Sequence, residues 1–168
     1  MSAKGAAGAN DAAARYLEHR PRTEKEIEDH LAEKGFEAKD IAETIKELKE
    51  FKYLDDVKYA EMYLRYAIGK GHGIKKILFE LGKKGVGSDD INDGIAKFEE
   101  ENEVDISDVM VKTAEREAEK IPADPKHPTE KEIAKIGRRL TYLGHDEALV
   151  YSTVGKYMEL RNSGHDEF

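Results

Sequence analysis

A glycine-centred pattern recurs three times along the chain, and it constrains the architecture more than any other feature. Ile27, Leu31, Gly35, Phe36, Ile41, Ile45 and Leu48 are matched fifty residues later by Ile77, Leu81, Gly85, Val86, Ile91, Ile95 and Phe98. A further shift of fifty-nine gives Ile136, Leu140, Gly144, His145, Val150, Val154 and Tyr157, with His145 the one polar departure. Apolar residues three and four apart line one face of a helix. A glycine just after them supplies the left-handed residue at which helices stop, because it carries no Cβ to clash there. Each copy reads as helix, glycine turn, helix.

The same spacing, broken by Gly, Pro and caps, predicts helices over 11–20, 23–34, 37–51, 55–69, 73–84, 88–100, 105–120, 129–143 and 146–161. Each first helix is expected to pack on the pair that follows. The expected fold is all-α, a tandem repeat of three three-helix units forming an elongated curved array. The expected boundaries are a disordered small-residue tail over 1–10, repeats over 11–54, 55–102 and 103–162, and a flexible tail over 163–168. Within the third repeat, IPADPKHP over 121–128 reads as a proline-rich extended linker. With 38% charged residues, 39% hydrophobic ones and only four prolines, the composition suits solvated helices around a lean core.

The pentapeptide TEKEI occurs twice, as Thr23 to Ile27 and Thr129 to Ile133, yet it is not the repeat. In the repeat register Ile27 pairs with Ile136, so the second TEKEI begins one turn early. Both copies read as capping boxes, in which the Thr hydroxyl accepts the third helical N–H and Glu26 or Glu132 reaches back to the cap.

Several kinds of chemistry are excluded. There is no cysteine, hence no disulfide framework and no thiolate nucleophile or ligand. The six histidines show no metal-ligand spacing and are expected to be surface or cap residues. GKGHG over 69–73 lacks the strand and the hydroxyl residue of a phosphate loop and reads as a hinge; Asp55 and Asp56 read as helix-cap residues rather than catalytic carboxylates. No catalytic residue, cofactor or metal is expected. No apolar run approaches the ~18 residues that span a bilayer, and a net charge of -8 opposes bulk attraction to nucleic acid or anionic lipid. The expected setting is the cytoplasm, with no membrane contact.

The segment Lys52 to Val86 resembles the central signature of the RecX family, bacterial regulators of the RecA recombinase. The residues that carry the resemblance are Tyr53, Leu54, Asp56, Tyr59, Ala60, Tyr63, Gly71, Gly73, Ile77, Leu81, Lys84, Gly85 and Val86. The family plan of three tandem three-helix units extends it over roughly 12–160. The chain departs at Ala67, Ile68 and Gly69, where the family carries extra Arg, and at Ile74, where Pro is common, so its basic surface is thinner. The resemblance implies a non-catalytic protein that binds the RecA filament on single-stranded DNA and lies along its groove; the chain itself is expected to be a monomer. It further implies lower ATPase and strand-exchange activity, by blocked growth or by disassembly, and a place in recombination, DNA repair and the SOS response. The alternative is a helix-turn-helix protein acting directly on duplex DNA.

The candidate contact face is the most basic window of an acidic chain. On 74–84, Ile74, Ile77, Leu78 and Leu81 form an apolar stripe, while Lys75, Lys76, Phe79 and Lys83 share the other side. Phe79 is the expected anchor, steered by Lys70, Lys75, Lys76 and Lys83; the alternative is a solvated face with Phe79 tucked against the neighbouring repeat. Tyr59, Tyr63 and Tyr66 form a second stripe along 55–69, and Arg65 and Tyr66 lie nearest the basic window. Arg138 and Arg139, adjacent and therefore diverging, are expected to divide between an acidic neighbour, the usual fate of a surface Arg, and a phosphate or carboxylate site on the partner. Weak direct contact with DNA is the remaining partner expectation.

Overall fold

The computed structural model describes residues 5–164. Among these residues there are nine helices and no strand: α1 (Ala6–His19), α2 (Glu24–Glu33), α3 (Ala38–Glu50), α4 (Asp56–Gly69), α5 (Ile74–Lys83), α6 (Ser88–Asn102), α7 (Ile106–Glu119), α8 (Glu130–Tyr142) and α9 (Glu147–Ser163). The starts follow the caps expected from sequence. Thr23 and Thr129 each complete a capping box, with Glu26 and Glu132 as the reciprocal residues.

The stops are one local solution used repeatedly. Gly35 has φ 83°, its N–H donates to the Ala32 carbonyl at 2.9 Å, and the Phe36 N–H donates to the Leu31 carbonyl at 3.1 Å. That pair of bonds is the Schellman closure, which satisfies two orphan carbonyls of a helix end. Gly85 and Gly144 repeat it with φ 82° and 79°, so that Val86 bonds back to Leu81 and His145 to Leu140. α3 and α6 close in the same way without glycine: Lys52 and Glu103 hold φ at 59° and 52°.

The first helix begins earlier than the sequence pattern suggests. The expected disordered tail over 1–10 is wrong for 6–10, which form the first turn and a half of α1. Ala9 is fully buried, and Asn10 accepts from Thr44 Oγ1 at 2.6 Å while donating to Glu47 at 2.8 Å. Small residues read as a polar tail, but Ala is the best helix former and lets α1 approach its neighbours closely. Ser163 likewise belongs to α9, and Gly5 and Gly164 are cap residues; 1–4 and 165–168 lie outside the described residues.

By its contacts the chain divides into two compact units, Met1–Tyr63 with Glu80–Phe98, and Leu64–Phe79 with Glu99–Phe168. In the first, α1, α2 and α3 pack around Ala9, Ala13, Ile27, Leu31, Ile41 and Leu54. Full burial of an Ile or Leu such as Ile27 or Leu31 contributes roughly 1.5–3 kcal/mol. The start of α2 is bonded to later parts of this unit. The Thr23 hydroxyl donates to the Lys84 carbonyl at 2.6 Å, and the buried Asp56 carboxylate accepts the Glu24 N–H at 2.9 Å. Burial pushes the Asp56 carboxyl up, with the Glu24 bond working against it.

In the second unit α7, α8 and α9 pack around Ala114, Ala118, Ile136 and Leu140, with Val150, Val154 and Tyr157 at the edge. The linker over 121–128 is not simply extended: Asp124 accepts the N–H groups of Lys126 and His127 at 2.8 and 2.9 Å, and Pro128 is buried.

Candidate interaction surface around the glycine turn

The turn between α4 and α5 is the part of the second unit that places the candidate contact residues. α4 ends in the same closure as the repeat turns, with Gly71 at φ 82° and the His72 N–H bonded to the Ala67 carbonyl at 3.0 Å. From there the chain runs against the α8–α9 turn. The Gly73 N–H donates to the Leu143 carbonyl at 2.8 Å and the Lys75 N–H to the Gly144 carbonyl at 3.1 Å. The approach is close enough that a Cβ on Gly73 would collide with the backbone of His145 and Gly144. The segment read as a hinge is therefore clamped.

Three side chains outside the expected contact set hold the clamp. His145 is buried, not on the surface, and its Nε2 meets the Gly71 carbonyl at 3.0 Å. A carbonyl only accepts, so Nε2 carries the proton. Burial depresses the His145 pKa against the pull of that bond and of Glu117, which favours the neutral ring. Arg116 Nη2 donates to the Ile68 carbonyl at 2.7 Å. Glu117 lies fully buried against Gly71, where a Cβ would overlap its carboxyl.

A buried carboxylate needs compensating cations. Lys120 Nζ and Arg139 Nη2 supply them at 2.6 and 2.7 Å. Burial pushes the Glu117 carboxyl up, but the hydrogen bonds from Lys120 and Arg139 outweigh it and hold the pKa below the ordinary carboxylate range. A signal for Glu117 was present: Met110, Thr113, Ala114, Glu117 and Ala118 follow core spacing along α7. His145 was marked by being the polar departure at an apolar repeat position.

The expected contact residues divide into engaged and outward groups. Arg139 is taken up by Glu117 and is not an outward contact, whereas Arg138 is exposed. Arg65 pairs with Glu101 and Asn102, both at 3.2 Å, across half-exposed side chains, a pairing that contributes little in water. Tyr66 is exposed, and Lys70 Nζ stands 5.7 Å from its ring centroid. Lys75 faces Glu147 at 3.7 Å, and Lys76 stands 5.5 Å from the exposed Tyr142 ring. Phe79 is 67% exposed. Leu78, expected in the apolar stripe, is 40% exposed; it lies ~100° round the helix from the fully buried Ile77 and falls off the edge of the stripe. Lys83 is exposed in the first unit.

The motif residues mostly build structure. Leu54, Asp56, Tyr59, Ala60, Ile77 and Leu81 are buried, and Gly71, Gly73 and Gly85 make the turns and close approaches described. Tyr63 is half-buried with Lys84 Nζ 5.7 Å from its ring, while Tyr53 is 71% exposed. Among the described residues no group of three or more His, Asp or Glu is arranged to hold a metal, and no helix is long and apolar enough to cross a membrane.

The fold defines a tandem three-helix-repeat protein whose distinctive residues shape its turns. The chain belongs to the RecX family of regulatory proteins: residues 9–48 match the first RecX three-helix domain and residues 55–95 the second. The regulatory protein RecX of Clostridium botulinum (strain Alaska E43 / Type E3) is 30% identical over 148 residues, 88% of this chain and 68% of that one. That of Clostridium perfringens (strain 13 / Type A) is 41% identical over 106 residues, 63% of this chain and 48% of that one. The chain thus spans about half the length of several curated relatives it matches. The crystal structure of RecX from Lactobacillus salivarius has the same fold, with a TM-score of 0.76 at 24% identity over 92% of this chain and 97% of that one. A second crystal structure, of regulatory protein RecX, gives 0.73 at 26% identity over 90% of this chain and 73% of that one.

Proposed function

We propose that this chain binds the RecA filament on single-stranded DNA and lowers its ATPase and strand-exchange activity, acting in the cytoplasm on recombination and DNA repair. The observation that carries the contact surface is Phe79: a large aromatic residue, 67% exposed, on a helix whose other face is fully buried at Ile77. Exposed aromatics flanked by long cations are the usual anchors of protein interfaces. Lys70, Lys75 and Lys76 lie in the same unit and steer toward acidic protein or phosphate. Direct DNA contact is secondary. The α6 sequence SDDINDGIAKFEEEN is too acidic to enter a groove lined by phosphate.

The test is suppression of RecA ATP hydrolysis by the wild type and by a Phe79→Ala, Lys75→Glu variant. Loss of an interface anchor costs ~2 kcal/mol or more, so the inhibitory concentration should rise at least about tenfold. The melting temperature should not move, because both side chains are exposed. Equal inhibition by a folded variant refutes the surface; no inhibition by the wild type at stoichiometric excess refutes the function.

A further inference from the structure

The turn that ends α3 and the turn that ends α6 share a backbone but differ in what they show to solvent. Both close on a left-handed residue, Lys52 with φ 59° and Glu103 with φ 52°. In both, the next N–H bonds back into the helix, from Tyr53 to the Leu48 carbonyl at 2.9 Å and from Val104 to the Glu99 carbonyl at 3.1 Å. Yet one turn reads Asn102, Glu103, Val104, and the other Phe51, Lys52, Tyr53. Tyr53 is 71% exposed, and the closure does not require an aromatic there, since Val104 completes the same bond.

A hollow of about 440 Å³ lies beside Tyr53, wholly within the first unit. Its apolar wall is formed by Leu17, Pro21, Tyr53 and the exposed Met62. Its rim is basic in an acidic chain, with Arg20, Arg22, Lys52 and Lys58 against Glu18 and Asp55. Arg20 is engaged by Glu26, through bonds of 2.9 and 3.2 Å. Arg22 is held differently: its Nε donates to the Tyr16 carbonyl at 3.2 Å, and its guanidinium stacks 3.6 Å from the Tyr16 ring centroid. The fork is thereby fixed in place, and among the described residues its terminal nitrogens bond to nothing. Lys52 and Lys58 are exposed, and among the described residues neither side chain meets an acid.

We propose that this hollow docks an acidic segment of a partner protein, one in which carboxylates alternate with aliphatic side chains. The aliphatic groups fill the hollow against Leu17, Tyr53 and Met62, and the carboxylates meet Lys52, Lys58 and the Arg22 fork. A fork already held by Tyr16 loses little freedom when a carboxylate binds it. The mixed rim disfavours a nucleic acid. A phosphate chain carries charge at every step and would run onto Glu18 and Asp55, whereas carboxylates spaced by apolar residues avoid them. Phe79 belongs to the other unit, so this docking does not depend on the role given to that residue.

Amide NMR of the isotope-labelled chain, titrated with a synthetic peptide repeating the triplet Asp-Leu-Glu, tests this. The amides of Lys52, Tyr53, Lys58 and Met62 should shift and saturate, and a peptide with Lys in place of every acid should move none of them. Tyr53→Ser and Lys58→Glu, both at exposed positions, should each weaken binding about tenfold or more. Lys52→Gly separates binding from stability: it relieves a left-handed residue, so the unfolding midpoint should rise while peptide affinity falls. Glu103→Gly, the matching change outside the hollow, should raise the midpoint and leave affinity unchanged. Four results overturn the proposal: no shift at these amides, the same shifts with oligo-dT, the same shifts on concentrating the chain alone, or full affinity in the folded Tyr53, Lys58 and Lys52 variants.

Discussion

Gly73→Ala is the sharpest test of the clamp at the start of α5. A Cβ at this position meets the Cα and N of His145 and the carbonyl carbon of Gly144, all backbone atoms that cannot swing aside. The start of α5 must then retreat from the α8–α9 turn and loosen two bonds, Gly73 to Leu143 at 2.8 Å and Lys75 to Gly144 at 3.1 Å. Two neutral hydrogen bonds contribute about 0.5–1.5 kcal/mol each, and overpacking adds about 1–3 kcal/mol, for a loss of ~2–6 kcal/mol. Gly82→Ala supplies the control on the same helix. Nothing lies within 4 Å of a Cβ there, so replacing a helical glycine should stabilise, by ~0.5–1 kcal/mol. Urea denaturation followed by far-ultraviolet circular dichroism should move the two midpoints in opposite directions. Equal midpoints, or a Gly73→Ala protein as stable as the wild type, would refute the close approach.

Two further outcomes follow from the same chemistry. The His145 pKa is depressed in the folded chain, so the unfolded chain binds the proton more readily. Its contribution to stability is complete above the ordinary histidine pKa of ~6.5 and is lost as pH falls through the folded value. His145→Phe, which restores the aromatic residue of the first repeat at Phe36, should flatten that limb of the stability profile. It should not abolish it, since His30 and His72 are depressed in the same direction; an unchanged slope would exclude a neutral buried His145. Lys52→Gly and Glu103→Gly relieve left-handed residues with φ of 59° and 52°. Each should raise stability by about 1 kcal/mol, measured by chemical denaturation, and a loss in both would contradict the closure geometry.

The candidate contact residues were legible as a basic window around GKGHG, and Phe79 and Tyr66 lie exposed. Their supports were not legible as such. Glu117 occupies core spacing on α7 and His145 an apolar repeat position just after Gly144, but which polar group each would meet depends on elements far apart in the chain lying side by side. The same reason accounts for Ala9, whose burial depends on α3. It also accounts for Arg139, whose direction is set by a carboxylate 22 residues away in sequence.

What the sequence determined by itself was local: where helices start, where they stop, and how often the pattern recurs. Caps and glycine turns involve residues only a few positions apart, so five or six letters suffice to specify them. TEKEI marks the limit of that determination. Both copies form the same capping box, with Glu26 and Glu132 reaching back to their threonines. Yet the Thr23 hydroxyl donates to the Lys84 carbonyl, while the Thr129 hydroxyl donates to its own Glu132. Identical residues fix identical backbone bonds. The one proton left to choose a partner goes to whatever the tertiary structure brings within reach.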